Sequence, residues 1–123
     1  MRFLTARKQA EGKGSAHSGT EHHWYMTVSG VALTIIVPWF MLVFGRTLGG
    51  TYEDVIATFS RPFPAIVTAL ALIVGLQHFM KGAQTMIEDY ARGLTRKALI
   101  IFVITISYFL MACGLFALAK IAL

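Results

Sequence analysis

Three windows of this chain, 24–45, 62–80 and 98–119, contain no Asp, Glu, Lys or Arg. Each is close to the roughly 20 residues that a helix needs to cross the hydrocarbon core of a bilayer. Within hydrocarbon every backbone N–H and C=O needs a partner inside the protein, which makes a helix the natural form of such a window. The second window lengthens if its helix continues past Lys81 towards Glu88. The expected fold is an all-α membrane protein with three transmembrane helices running up, down and up, over about 24–45, 62–90 and 98–120. A polar, basic tail at 1–23 precedes them. Composition agrees: 56% of the 123 residues are hydrophobic and 14% charged, against ~45–50% and ~25% in an ordinary soluble domain.

The net charge of +5 reads as a topology signal rather than as a nucleic-acid surface. Arg2, Arg7, Lys8 and Lys13 precede the first window, and Arg92, Arg96 and Lys97 lie between the second and third. The opposite side carries Arg46, Arg61 and Lys120. By the positive-inside rule the N-terminus is expected in the cytoplasm and the C-terminus outside. A secretory signal peptide is not expected, because the first apolar run begins only at Trp24 and is span-length. The tail is basic and contains Ser and Gly, as a mitochondrial transit peptide does, but Glu11 and Glu21 weigh against that. The bacterial inner membrane is the expected location. Cys113 is the single cysteine, so no disulfide framework exists, and it is expected as a small buried apolar residue.

Between the first two windows, residues 52–59 suggest a short amphipathic turn on the outer surface. Pro38 falls within the first span, where it removes a backbone hydrogen bond and is expected to kink the helix. Pro62 and Pro64 suit the first turn of the second, and Gly93 is a natural stop after it. Three helices are few for a self-sufficient membrane core, so packing against partner chains is expected.

The chemistry is sought in "QHFMKGAQTMIEDY", residues 77–90. At 100° per residue, Ala71, Gly75, His78, Gly82, Thr85 and Asp89 share an arc of about 80°. This is a seam of small and polar residues in an otherwise apolar helix. Small residues let helices approach closely, or let a flat rigid group lie against the backbone. Two readings of His78 stand: a hydrogen bond to a neighbouring helix, or ligation, for which haem iron is the leading candidate at membrane depth. One histidine supplies one axial position, so a second ligand would come from another subunit. A structural zinc is disfavoured, because no second Cys, His or carboxylate lies within a turn of His78.

Lys81 is read either as a snorkelling cation or, with His22 and His23 at the start of span one, as a partner for haem propionates. Glu88, Asp89 and Tyr90 lie about 18 Å along the axis from His78. They form either an ordinary interfacial helix end or a quinone site. In the second case the Tyr90 hydroxyl donates to a quinone carbonyl, and Asp89 orients it or relays protons. His17 is given no role. Met80, Met86 and Met111 are read as packing residues.

The pattern H-x-x-x-G-x-x-x-[hydrophobic]-x-x-D-Y, met here by His78, Gly82, the apolar residues about Ile87, Asp89 and Tyr90, resembles a family motif. It is that of the small hydrophobic anchor subunit of succinate dehydrogenase, in its second transmembrane helix. Length, polar tail and three spans fit as well, and "GTEHHW" resembles alphaproteobacterial versions. The resemblance implies that His78 is an axial ligand of a haem b shared with a second, larger anchor subunit. It also implies that Tyr90, with Asp89, lines the ubiquinone site facing the iron–sulfur subunit. The flavoprotein subunit would be an indirect partner, and the lipid bilayer the surrounding medium. The family often carries an arginine early in span one, where this chain has "WYMTVSGVALT" and none. Whether His22, His23 or Lys81 takes over that role is open. A haem-free structural anchor and a fumarate reductase anchor are the alternatives. A transporter subunit is disfavoured, because the charge-free windows hold no acid.

Overall fold

The computed structural model describes residues 3–12, 14 and 19–123. Arg2, Lys13 and His17 lie outside the described residues. Five helices follow one another: α1 (Ala6–Glu11), α2 (Gly19–Gly45), α3 (Tyr52–Phe59), α4 (Pro62–Tyr90) and α5 (Gly93–Ala122). Among the described residues there is no strand. α2, α4 and α5 are the three spans, with 27, 29 and 30 residues. At 1.5 Å per residue they are about 40–45 Å long, more than the ~30 Å hydrocarbon core requires.

Two boundaries differ from the sequence expectation. α2 starts at Gly19, ahead of the apolar run, because His22 has a partner on α4 and the polar turn is held by that packing. It then runs unbroken through Pro38. α5 starts at Gly93, so "LTRK" is already helical. Gly93 sits at φ +61°, a conformation that favours glycine. It turns the chain three residues after Tyr90, and a 3.2 Å ion pair from Arg96 to Glu88 spans the corner.

α4 is the central helix, with α2 packed on one flank and α5 on the other. At the end where α4 begins, α3 folds against α4 and α5. Phe59 of α3 is buried there with Val43 of α2 and Leu118 of α5, backed by Val55, Ala65 and Ala69. Trp39 meets Phe63 edge-on, with ring centroids 5.6 Å apart. α3 owes its start to a capping box. The Thr51 hydroxyl accepts from the Asp54 amide at 3.3 Å, and the Asp54 carboxylate accepts from the Thr51 amide at 2.9 Å. The end of the bundle nearer Tyr90 is open, with no counterpart of α3 among the described residues. Cys113, expected to be buried, is exposed, on a stripe of α5 that the chain itself leaves uncovered.

Candidate functional site

α4 carries the site and α2 covers one side of it. The seam of small and polar residues on α4 faces α2 in antiparallel register. A Cβ on Gly75 would lie 4.0 Å from Leu33, and one on Gly82 3.6 Å from Met26. Opposite His78 stands Gly30, where a Cβ would lie 3.8 Å from the imidazole Cε1. The space expected beside the histidine is therefore taken, on this side, by α2. A methyl group at each of these glycines would meet the facing side chain at ordinary van der Waals distance, so the seam leaves room for little more than a small residue.

Polar contacts repeat along the same seam. His78 is half-buried, and its Nδ1 lies 2.8 Å from the Ser29 hydroxyl, whose residue is only 5% exposed. Its Nε2 makes no hydrogen bond among the described residues. One residue before His78, Gln77 accepts a 3.0 Å bond from the Tyr25 hydroxyl. Two turns further, His22 Nε2 lies 3.1 Å from Thr85 Oγ1, and the Thr85 hydroxyl donates to the Lys81 carbonyl at 3.2 Å. That hydroxyl has one hydrogen, so His22 is the donor in the first of these bonds.

Towards the open end the same two helices part into a cleft of about 490 Å³. His22 and His23 of α2 share it with Asp89 and Tyr90 of α4, and Met26 and Met86 supply apolar wall. Tyr90 is 87% exposed, so its hydroxyl is open to whatever enters. A smaller neighbouring cleft of about 330 Å³ is lined by Glu21, His22, Tyr25 and Lys81. His22 belongs to both. The two histidines thus stand beside the acid–tyrosine pair, an association that the sequence pattern had not suggested. Ser29, Gly30, Tyr25 and Gln77 were also missed. The signal was present in "SG", two small residues adjacent in an apolar span, but only the register of α2 on α4 shows what they meet.

Among the described residues no three His, Cys, Asp or Glu side chains gather to hold a metal ion. The donor set for one axial position of a haem is nonetheless there. It consists of a half-buried imidazole in mid-span with one nitrogen engaged and the other unclaimed. The residues fit that group as a single ligand.

Residues 1–112 match the family described as the succinate dehydrogenase/fumarate reductase transmembrane subunit. The chain belongs to this family. Over all 123 residues it is 54% identical to the succinate dehydrogenase hydrophobic membrane anchor subunit of Paracoccus denitrificans, covering 95% of that protein. It is 35% identical over 85 residues to the protein of the same name from Rickettsia bellii, with 67% of this chain and 66% of that one aligned. No solved structure matches the chain. Its three apolar helices and its full-length bacterial relative make this succinate dehydrogenase family member a membrane anchor subunit in the bacterial inner membrane.

Proposed function

We propose that this anchor provides one axial ligand, His78, to a haem b shared with the second anchor subunit, and lines a ubiquinone-reduction site with Tyr90 and Asp89. The observation that carries the reading is the half-buried His78 imidazole, anchored through Nδ1 and unclaimed at Nε2. When bound, haem supplies a one-electron redox centre within the membrane. His78 would hold the haem from this chain, and a further protein ligand would be supplied by the other anchor subunit. Lys81 and the two histidines, His22 and His23, lie at the cytoplasmic end of α2 and α4. There they would supply cationic or hydrogen-bonding partners for haem propionates.

The quinone is a substrate, held at the membrane edge with its head group in the cleft between α2 and α4. The Tyr90 hydroxyl donates to a quinone carbonyl, and the Asp89 carboxylate takes up and passes protons beside it. The apolar walls from Met26 and Met86 suit a ring, and the bilayer takes the tail. Succinate oxidation itself takes place in the soluble subunits, the flavoprotein and the iron–sulfur protein, the latter docking at this end. This chain contributes the anchor, the ligand and part of the acceptor site.

The test uses the purified complex. His78→Ala is expected to abolish or shift the haem absorption in the dithionite-reduced spectrum, and an unaltered spectrum removes His78 as ligand. A wild-type complex without a Soret band would make the chain a haem-free anchor. Tyr90→Phe loses one hydrogen bond worth about 1 kcal/mol, so ubiquinone reduction should fall about fivefold. Succinate oxidation with an artificial acceptor should stay near wild type. Equal loss of both activities counts against the site.

A further inference from the structure

The Ser29 hydroxyl has three polar neighbours, the most distant being the Met26 carbonyl of its own helix at 3.3 Å. Its oxygen lies 2.7 Å from the Tyr25 carbonyl and 2.8 Å from His78 Nδ1. A serine hydroxyl owns one hydrogen and can accept through its lone pairs, whereas a carbonyl only accepts. Two oxygens 2.7 Å apart in an apolar surrounding need a proton between them, and only Ser29 has one to give. Its hydrogen therefore points back along α2 to Tyr25, the i−4 bond that serine readily forms in an apolar helix. The contact with His78 must then run the other way, with Nδ1–H donating to Ser29 Oγ.

We propose that Ser29 is a positioning residue for the haem ligand: it fixes His78 as the Nδ1–H tautomer, so that Nε2 carries a bare lone pair. The proposal rests on His78 being the ligand. Ser29 acts in three ways. It selects the nitrogen that can bind a metal, because a ring nitrogen that bears hydrogen cannot donate to iron. It fixes the plane of the imidazole, since both the serine and the carbonyl behind it belong to a regular helix. It also strengthens the lone pair, because a hydrogen bond from Nδ1–H to an acceptor moves electron density onto the ring. A more basic axial ligand favours the ferric state and lowers the midpoint potential. Gly30 stands next to Ser29 and faces the ring, where a Cβ would lie in ordinary contact with Cε1 at 3.8 Å. The serine that does this stands on span one, where nothing in the motif on span two points to it.

The experiment compares Ser29→Thr, Ser29→Cys and Ser29→Ala in the purified complex. Haem content, the midpoint potential from a redox titration, and the EPR g-values of the ferric haem are recorded for each. Threonine keeps the hydroxyl and its i−4 bond and should retain wild-type potential and g-values. Alanine removes the acceptor, so the potential should move to more positive values and the ferric EPR signal should shift. Cysteine is a weak acceptor and should fall between them. If alanine instead loses haem while threonine keeps it, the same order is read in haem occupancy and supports the proposal. Wild-type potential and g-values in Ser29→Ala overturn it, as does equal haem loss in the threonine and alanine variants. His78→Ala separates the two levels of the argument. A haem spectrum that survives that change defeats the ligand assignment, whereas its loss beside an unresponsive Ser29 series defeats only the role of Ser29.

Discussion

At the scale of single residues, the α2–α4 seam is a ladder of polar contacts in an apolar setting. Tyr25 to Gln77 is the rung one residue away from the haem-ligand candidate. Hydrogen bonds between membrane helices contribute about 0.6 kcal/mol on average. A double-mutant cycle of Tyr25→Phe and Gln77→Leu should therefore give a coupling of about that size in the thermal stability of the complex, with the haem spectrum unchanged. A coupling near zero would mean that the bond is not made in the assembly. His78 stood out in the sequence because polar groups at membrane depth are rare, and Asp89 and Tyr90 because helix geometry fixes their distance from it at the end of the same span. Their partners did not stand out. Ser29 and Gly30 look like ordinary small residues of an apolar span until the register of two distant segments brings them within 3–4 Å of the ring.

The elements show a similar division. α3 was legible as a short amphipathic segment at Tyr52–Phe59, because its apolar residues repeat at helical spacing and a turn-forming run precedes it. The start of α2 was not, since apolarity records contact with lipid, and the turn carrying His22 and His23 is helical for a different reason. α3 also carries a pH-dependent cap. Hydrogen bonds from the Thr51 amide and hydroxyl hold the Asp54 carboxyl below its usual range. A depressed folded pKa means that the cap is complete above the ordinary carboxylate pKa of about 3.9 and is lost as pH falls through the lower folded value. The ¹³Cα shifts of residues 52–59 should therefore stay helical at neutral pH and lose helicity on strong acidification, and Asp54→Asn should remove that dependence. Thr51→Ala should weaken the α3 start by about 1 kcal/mol at neutral pH. On the other flank, a Cβ at Gly114 of α5 would come within 3.0 Å of Leu72 on α4. Gly114→Ala asks only the end of a leucine to move, but Gly114→Val should cost about 1–3 kcal/mol by overpacking. A thermal melt of the complex would show the difference, and equal melting of the two variants would place that glycine away from a tight contact.

For the molecule as a whole, the spans bury little against one another. Only 11% of the residues in the apolar window of α2, and 6% of those in the windows of α4 and α5, are fully buried by the chain itself. That is the physical reason to expect a companion, and it was already visible in the small number of helices. The chain produced without the other subunits should be cleared from the membrane faster than the assembled complex. A pulse-chase of the tagged anchor measures this, and equal lifetimes would show that the three helices suffice alone. Class and span number were readable because bilayer thickness imposes a length on any sequence that crosses it. How helices are turned about their own axes is not imposed by thickness, and no window of hydropathy encodes it. In this chain a very short stretch determines it for α5. Only Ala91 and Arg92 separate α4 from α5. Both are extended, so removing one would shorten the reach of the corner by about 3.3–3.6 Å, and α5 could stay against α4 only by turning about its axis or unwinding its first residues. The corner behaves as a phase key: its length in residues, more than its chemistry, selects which stripe of the last helix meets α4 and which is left to face a neighbour.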